Sequence, residues 1–405
     1  MSFESLGLEP RLLSAVDKMG YTDPTPIQKE AIPHVLAGRD VVGVAQTGTG
    51  KTAAFVLPML QRTPTKRGIR ALVVTPTREL ATQITDVTRQ VSRTTNHRSV
   101  TIFGGVGQQP QVDKLRRGVD IVIACPGRLL DLHSQGVVDL SQVETVVLDE
   151  ADRMLDMGFW PDVRRILALL PAKRQNLLFS ATMAPAVIKV VNSVLTDPVR
   201  VEVSPPATPV DRIEQTVYPV CRTQKTDLLV EMLKRDGHGR TLVFTRTKHR
   251  ADRLSRQLTK RGVRSEAIHG NRSQNQRQRA LESFRSGRSR VLVATDVMAR
   301  GIDIDQIGCV VNYDMPNTTD DYVHRIGRTA RAGATGAAVS FLSAEEHETL
   351  TAIERHLGAV LACEDVEGFR YKERVVPDSN RSARVTKPKS RSGGSRRGGR
   401  GRRRN

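Results

Sequence analysis

Short runs of valine, isoleucine and leucine recur along the chain. Each is followed by a polar or glycine-containing turn and then by a stretch with helical character. In the first half the runs fall at residues 41–45, 71–75, 100–103, 121–125, 146–149 and 176–180. Strands that are apolar throughout, without alternation, are buried on both faces, as in a parallel sheet covered by helices. The pattern breaks at residues 204–209, Ser-Pro-Pro-Ala-Thr-Pro, because three prolines in six residues continue neither a helix nor a central strand. It restarts at 241–245, 265–268, 290–294, 308–313 and 337–342, and no short-period repeat is present. The pattern predicts an α/β chain of two similar domains, residues 1–203 and 211–370, with a linker at 204–210 and a tail at 371–405. From about Asp378 the tail is Arg, Gly and Ser, too poor in apolar residues to offset the entropy of ordering, and is expected to be disordered.

Charge adds a partner to this picture. The net charge of +20 is uneven: residues 380–405 carry eleven Lys or Arg and no acid, which leaves about +9 for the rest. Both parts favour a polyanion, nucleic acid ahead of a membrane surface, and the tail reads as a sequence-indifferent nucleic-acid tether. No apolar run approaches bilayer length, and the N-terminus lacks the basic-then-apolar pattern of a signal peptide. Cys125, Cys221, Cys309 and Cys363 are widely spaced, which argues against a zinc site or a disulfide framework and fits a reducing, cytoplasmic location.

Two segments carry chemistry. Ala45-Gln46-Thr47-Gly48-Thr49-Gly50-Lys51-Thr52 lies between an apolar strand and a helix-forming stretch, the setting of a phosphate loop. Gly48 and Gly50 let backbone N–H groups close around phosphate oxygens at a helix N-terminus. Lys51 can reach the β- and γ-phosphates, and the Thr52 hydroxyl can ligate Mg²⁺. About a hundred residues on, Asp149-Glu150-Ala151-Asp152 closes another apolar strand. There Asp149 can meet the magnesium, and Glu150 can take a proton from an attacking water. An Asp-Glu pair alone is more often a solvated turn; the strand before it and the loop upstream reverse those odds. Charge developing on the γ-phosphate needs a cation, and Arg325, Arg328 and Arg331 of the second domain are the candidates. A cation supplied from there would make hydrolysis conditional on domain closure.

Gly20-Tyr21-Thr22-Asp23-Pro24-Thr25-Pro26-Ile27-Gln28 resembles the Q motif of DEAD-box RNA helicases, with Phe3 at the position of that family's upstream aromatic. The other motifs follow in family order. After the phosphate loop come Pro76-Thr77-Arg78-Glu79-Leu80-Ala81, Gly104-Gly105, Pro126-Gly127-Arg128, the Asp-Glu-Ala-Asp box and Ser180-Ala181-Thr182. The second half supplies Val243-Phe244-Thr245-Arg246-Thr247, Gln274 with Arg277, Ala294-Thr295-Asp296, Ala299-Arg300-Gly301-Ile302-Asp303 and His324-Arg325-Ile326-Gly327-Arg328-Thr329-Ala330-Arg331. The likeness covers about residues 1–345, and the short N-terminus and basic tail are most similar to the bacterial RhlE-type subgroup.

The resemblance implies two tandem RecA-like parallel-sheet domains, with ATP and single-stranded RNA lying across the cleft between them. Gln28 would read the adenine edge, and Tyr21 and Phe3 would pack near the base. Thr25, Gln46, Thr47 and Thr49 would complete the nucleotide pocket, and Gly301 and Asp303 would meet ribose and phosphates from the second domain. Arg328 and Arg331 match the family's finger positions. Ser180 and Thr182 would tie Asp152 to His324 and so couple phosphate state to domain position. RNA contacts carry over to Thr77, Arg78, Gly104, Gly105, Gly127 and Arg128, and to Arg246, Thr247, Gln274, Arg277, Thr295 and Arg300. Cys125 stands where many relatives have Thr; a thiol is a poor donor, so one hydroxyl contact is lost there. The implied activity is an ATP-dependent RNA helicase that opens short duplexes through RNA-stimulated ATP hydrolysis. ATP and Mg²⁺ would be its cofactors and single-stranded and duplex RNA its partners, ribosomal precursors and the RNA-decay machinery being equally compatible. An ATP-gated RNA clamp or annealing chaperone would use the same motifs; a DNA helicase is disfavoured by the Q motif.

Overall fold

The computed structural model describes residues 2–46, 48–65, 68–203, 213–235, 239–296, 307–330, 335–373 and 375. The anticipated linker at 204–210 and the tail from 376 onward lie outside them. Among the described residues, fourteen strands form two sheets of seven, all paired in parallel. The first sheet contains Val41–Val44 (β1), Ala71–Val74 (β2), Ser99–Ile102 (β3), Ile121–Ala124 (β4), Thr145–Asp149 (β5), Gln175–Ser180 (β6) and Val199–Glu202 (β7). The second contains Ile213–Pro219 (β8), Arg240–Phe244 (β9), Ser265–Ile268 (β10), Val291–Ala294 (β11), Ile307–Asn312 (β12), Gly336–Leu342 (β13) and Ala362–Cys363 (β14). Their orders, β3-β4-β2-β5-β6-β1-β7 and β10-β11-β9-β12-β13-β8-β14, match position by position, so the chain repeats one topology.

The apolar strands sort their side chains by alternation. Val41, Val73, Ile123 and Phe179 face one apolar cluster, whereas Val42, Val74, Val122 and Leu178 face another on the opposite side. Helices cover both clusters, as a sheet buried on two faces requires. The local caps agree with the sequence. Thr77 accepts from Leu80 N–H at the start of Arg78–Thr95, and Thr247 accepts from Arg250 N–H at the start of Lys248–Lys260. These two helices follow β2 and β9, which hold the same place in their sheets.

The second half also carries a buried ion pair. Lys225 Nζ lies 2.6 Å from Glu346 Oε2, and the Glu346 carboxylate further accepts from Ser343 N–H and Met315 N–H. One boundary differs from the expectation that the tail begins at 371. The Tyr371 hydroxyl accepts from Val366 N–H, its ring meets Phe369 edge-on at 4.9 Å, and Lys372 N–H donates to Gln224 Oε1 at 2.6 Å. An aromatic pair and a backbone tie provide the burial that the Arg/Gly/Ser stretch beyond cannot.

Candidate nucleotide and nucleic-acid site

The ends of β1, β5 and β6 converge, because Val44 pairs with Ser180 and Asp149 with Phe179. The loop after β1 turns through Gly48 and Gly50, whose φ angles of +87° and +91° lie in the left-handed region that glycine tolerates. Gly50 is held closely: a Cβ there would come within 2.5 Å of Gln28 Nε2 and 2.9 Å of Thr25 Oγ1. Gln28 stands in the first turn of Pro26–Leu36, accepts from Thr25 N–H at 2.9 Å and donates to Gly50 O at 3.1 Å. Its carboxamide keeps one N–H and one lone pair for a ligand. Thr49 Oγ1 donates to Gln46 O at 2.7 Å. Thr47 lies outside the described residues. Phe3 is a core residue at 4% exposure, whereas Tyr21 is only partly buried at the edge of the same cluster. Of the two aromatics, Tyr21 has more surface to offer a base.

Lys51, Asp149 and Glu150 form the centre of the site. Lys51 Nζ lies 3.1 Å from Glu150 Oε1, with both side chains buried. Burial alone would push the ammonium pKa down, but the charges of Glu150, Asp149 and Asp152 outweigh it and hold it above its ordinary value. Burial would likewise raise the Glu150 carboxyl. Lys51, then Arg153, then Arg328 from the second half overcome that effect and draw its pKa well below the usual range. Asp149 goes the other way, raised by burial and by the neighbouring Glu150 charge. Its Oδ1 is buried and has no hydrogen-bond partner among the described residues. Glu150 adopts φ +56° and ψ +53°, a left-handed conformation unusual for a residue with a Cβ. Nothing in the sequence flagged that strain.

The coupling residues are also brought together. Asp152 Oδ2 accepts from Thr182 N–H at 3.1 Å and from its hydroxyl at 3.2 Å, while Asp152 N–H faces Ser180 Oγ at 3.4 Å. Burial and the Glu150 charge raise the Asp152 carboxyl pKa above its ordinary value, against the smaller lowering effects of Lys51 and, from the second half, His324. Arg328 is buried and donates to His324 O at 3.1 Å. Arg325, one of the three candidate cations, clamps its own domain instead. It pairs with both oxygens of Asp296, donates to Asn312 Oδ1 and Asp314 O, and lies over the Phe244 ring. Arg331, Gly301 and Asp303 lie outside the described residues, as does Arg300.

Thr77, Arg78, Gly104, Gly127 and Arg128 line one cavity of about 460 Å³, together with Arg277 from the second half. Gly105 has φ +72°, and the Arg78 guanidinium occupies the space its Cβ would fill. Arg246, Thr247 and Thr295 follow the ends of β9 and β11. Cys125 also lines the cavity; burial pushes its thiol up to about 12, so it stays neutral, and it forms no side-chain cap for Pro126–Ser134. Glu79 had no anticipated role, yet Arg277 and Gln274 both donate to its Oε1 from the other half. The Arg277–Glu79 pair is buried on both sides, a protein partner for Arg277 beside the RNA contact expected of it. Arg153, buried beside Glu150, was missed as well.

Comparisons with known proteins agree with this geometry. Residues 25–190 match the family model for the DEAD/DEAH box helicase, and residues 224–333 match that for the helicase conserved C-terminal domain. The chain is 43% identical to the ATP-dependent RNA helicase RhlB of Pseudomonas syringae over 89% of its own length and 94% of the relative's. Saccharomyces cerevisiae Dbp5 bound to RNA and ADP BeF3 is similar at 34% identity and a TM-score of 0.80, over 90% of this chain and 96% of that one. A DEAD box protein from Methanococcus jannaschii, at 36% identity and coverages of 90% and 99%, gives a TM-score of 0.53.

Proposed function

The chain belongs to the DEAD-box ATP-dependent RNA helicase family, and from that premise we propose how its residues divide the work of RNA-stimulated ATP hydrolysis. It is an ATP-hydrolysing RNA helicase of two RecA-like halves. The observation that carries this division of work is the Lys51–Glu150 pair at 3.1 Å, with the charge of Arg328 from the other half helping to lower the same carboxyl.

In this reading Glu150 is the general base and is held in reserve by Lys51. An ammonium 3.1 Å away makes the carboxylate a weak base. When the β- and γ-phosphates draw Lys51 to themselves, Glu150 loses its strongest counter-charge and its basicity rises. Gln28 offers its remaining N–H and lone pair to adenine while fixing Gly50, so base recognition and loop shape are joined in one side chain. Asp149 Oδ1 and the Thr52 hydroxyl are hard oxygen donors suited to Mg²⁺, which would offset phosphate charge there. Arg328 meets the charge that develops on the transferred phosphate, so hydrolysis requires both halves together. Asp152, Thr182 and His324 relay that state.

RNA would lie across the cavity at Arg78, Gly104 and Arg128, on contacts to backbone phosphates. The similarity to the RNA-bound Dbp5 complex, at 34% identity and a TM-score of 0.80, supports this. An RhlE-type assignment is supported by the basic tail, and a cytoplasmic location by the spaced free cysteines. Glu150→Gln tests the central role. It should bind ATP and RNA while hydrolysis falls by roughly 10²-fold or more. Hydrolysis at the wild-type rate would mean that another group is the base.

A further inference from the structure

A second basic cavity, of about 640 Å³, lies wholly in the second half. It sits where the chain leaves β8, β9 and β12, and these strands hold the places that β1, β2 and β5 hold in the first sheet. The cavity thus occupies, in the second sheet, the place between the counterpart of the phosphate loop after β1 and that of Thr77-Arg78 after β2. Even the helix after β8 opens with Lys225-Thr226, as the helix after β1 opens with Lys51-Thr52.

The chemistry has nonetheless changed. No glycine stands in the turn Cys221-Arg222-Thr223-Gln224, so the backbone cannot wrap a phosphate as it does at Gly48 and Gly50. Lys225 is fully buried and engaged by Glu346 and Phe341 O. Thr226 Oγ1 is bonded to the Tyr313 hydroxyl at 2.8 Å. A nucleotide triphosphate therefore loses the groups that would hold it.

What replaces them is a row of arginines. Arg222 and Arg253 are exposed at the cavity wall and have no ion pair among the described residues, and no acidic side chain lines the space. Arg250 forms the floor, held 2.6 Å from Asp314 with its guanidinium over the Tyr313 ring. Arg250, Arg253 and Gln257 lie on one face of Lys248–Lys260, spanning about 10 Å. The row begins at Arg246 and Thr247, which also line the cavity and to which the family resemblance assigns RNA contacts.

We propose that this cavity is a second RNA-backbone subsite, in which Arg222 and Arg253 bind phosphodiester groups of the strand as it continues past Arg246. An extended row of exposed guanidinium groups suits successive phosphates of one strand, whereas a compact triphosphate would need an enclosing loop. Tyr313 is buried under Arg250, so no base-stacking platform is offered and the subsite should be indifferent to sequence.

The inference rests on the RNA-binding reading, and one experiment separates the two. Binding of uridine oligonucleotides of about 6 and about 12 nucleotides is measured on the full chain with a non-hydrolysable ATP analogue, across a salt series. Wild type should bind the longer strand more tightly and with a steeper salt slope. R222A/R253A should keep the wild-type affinity for the short strand, lose at least about fivefold of the gain on lengthening, and flatten the longer strand's salt slope by about 1.4. R222K/R253K should restore that slope, and thermal midpoints should be equal throughout. An unchanged gain and slope in R222A/R253A would overturn the subsite. So would loss of tripolyphosphate binding with RNA binding untouched, since the cavity would then serve a small polyanion. If wild type bound neither strand, the RNA reading itself would fail.

Discussion

Glu79→Gln probes the joint between the two halves. Glu79 and Arg277 are each buried, and each belongs to a different half, so their pair exists only when the halves are together. Burial and the Glu79 charge act oppositely on Arg277: burial draws its pKa down, and the carboxylate offsets part of that effect. Removing the charge from Glu79 leaves a buried guanidinium without its counter-ion. A fully trapped pair would cost about 3–5 kcal/mol to break. Here Arg277 returns to water whenever the halves separate, so the value for a hydrogen bond to a charged group, about 2 kcal/mol, is the better measure. That corresponds to about 30-fold in the equilibrium for closure. The assay is the RNA concentration that half-saturates ATP hydrolysis in wild type, E79Q, R277Q and the double variant. If the pair acts as a unit, each single change should raise that concentration by about 30-fold and the double variant should add little. A larger effect for R277Q than for E79Q would measure the direct contact of Arg277 with RNA. Single effects that simply multiply, to about 900-fold, would refute the pairing as a closure latch.

Two further outcomes follow from local geometry. Gly50→Ala should keep the fold but lower ATP affinity by at least about tenfold in calorimetric titration, because a left-handed φ of +91° and the contacts to Gln28 and Thr25 both oppose a Cβ. Glu346→Gln should destabilise the second half by about 3–5 kcal/mol in urea unfolding at neutral pH, since it strands buried Lys225. Burial raises the Glu346 pKa, but Lys225 and Ser343 outweigh it and hold it below its ordinary value. Such a carboxylate adds stability above its unfolded pKa of about 4.3 and loses it as pH falls through the lower folded value. The gap between wild type and E346Q should therefore narrow in acid.

Much of the fold was legible because its strands are apolar on both faces, and eleven of the fourteen coincide with runs of that kind. The three that escaped have physical reasons. Val199–Glu202 (β7) is an edge strand in which exposed Arg200 and Glu202 alternate with part-buried Val199 and buried Val201. Ile213–Pro219 (β8) carries the polar run Glu214, Gln215 and Thr216, exposed or half-buried, and is held in the sheet by pairing with β13 and β14 on either side. Ala362–Cys363 (β14) is only two residues long, too short for any periodicity to register.

The chemistry was legible wherever contiguous motifs announced it, and illegible where a contact joins side chains that no motif assigns to each other. A phosphate loop announces itself because strand, glycines, lysine and helix are consecutive. Glu79 and Arg277 are 198 residues apart, and neither is unusual in its own surroundings. The repeated topology sharpens the point. Lys51-Thr52 and Lys225-Thr226 open helices at equivalent places, yet one lysine faces Glu150 in a glycine-lined loop and the other is locked to Glu346 beneath a cavity of arginines. The dipeptide is identical, so the difference in function lies in the turn before it and the carboxylate opposite it. Only the folded chain brings that carboxylate into view.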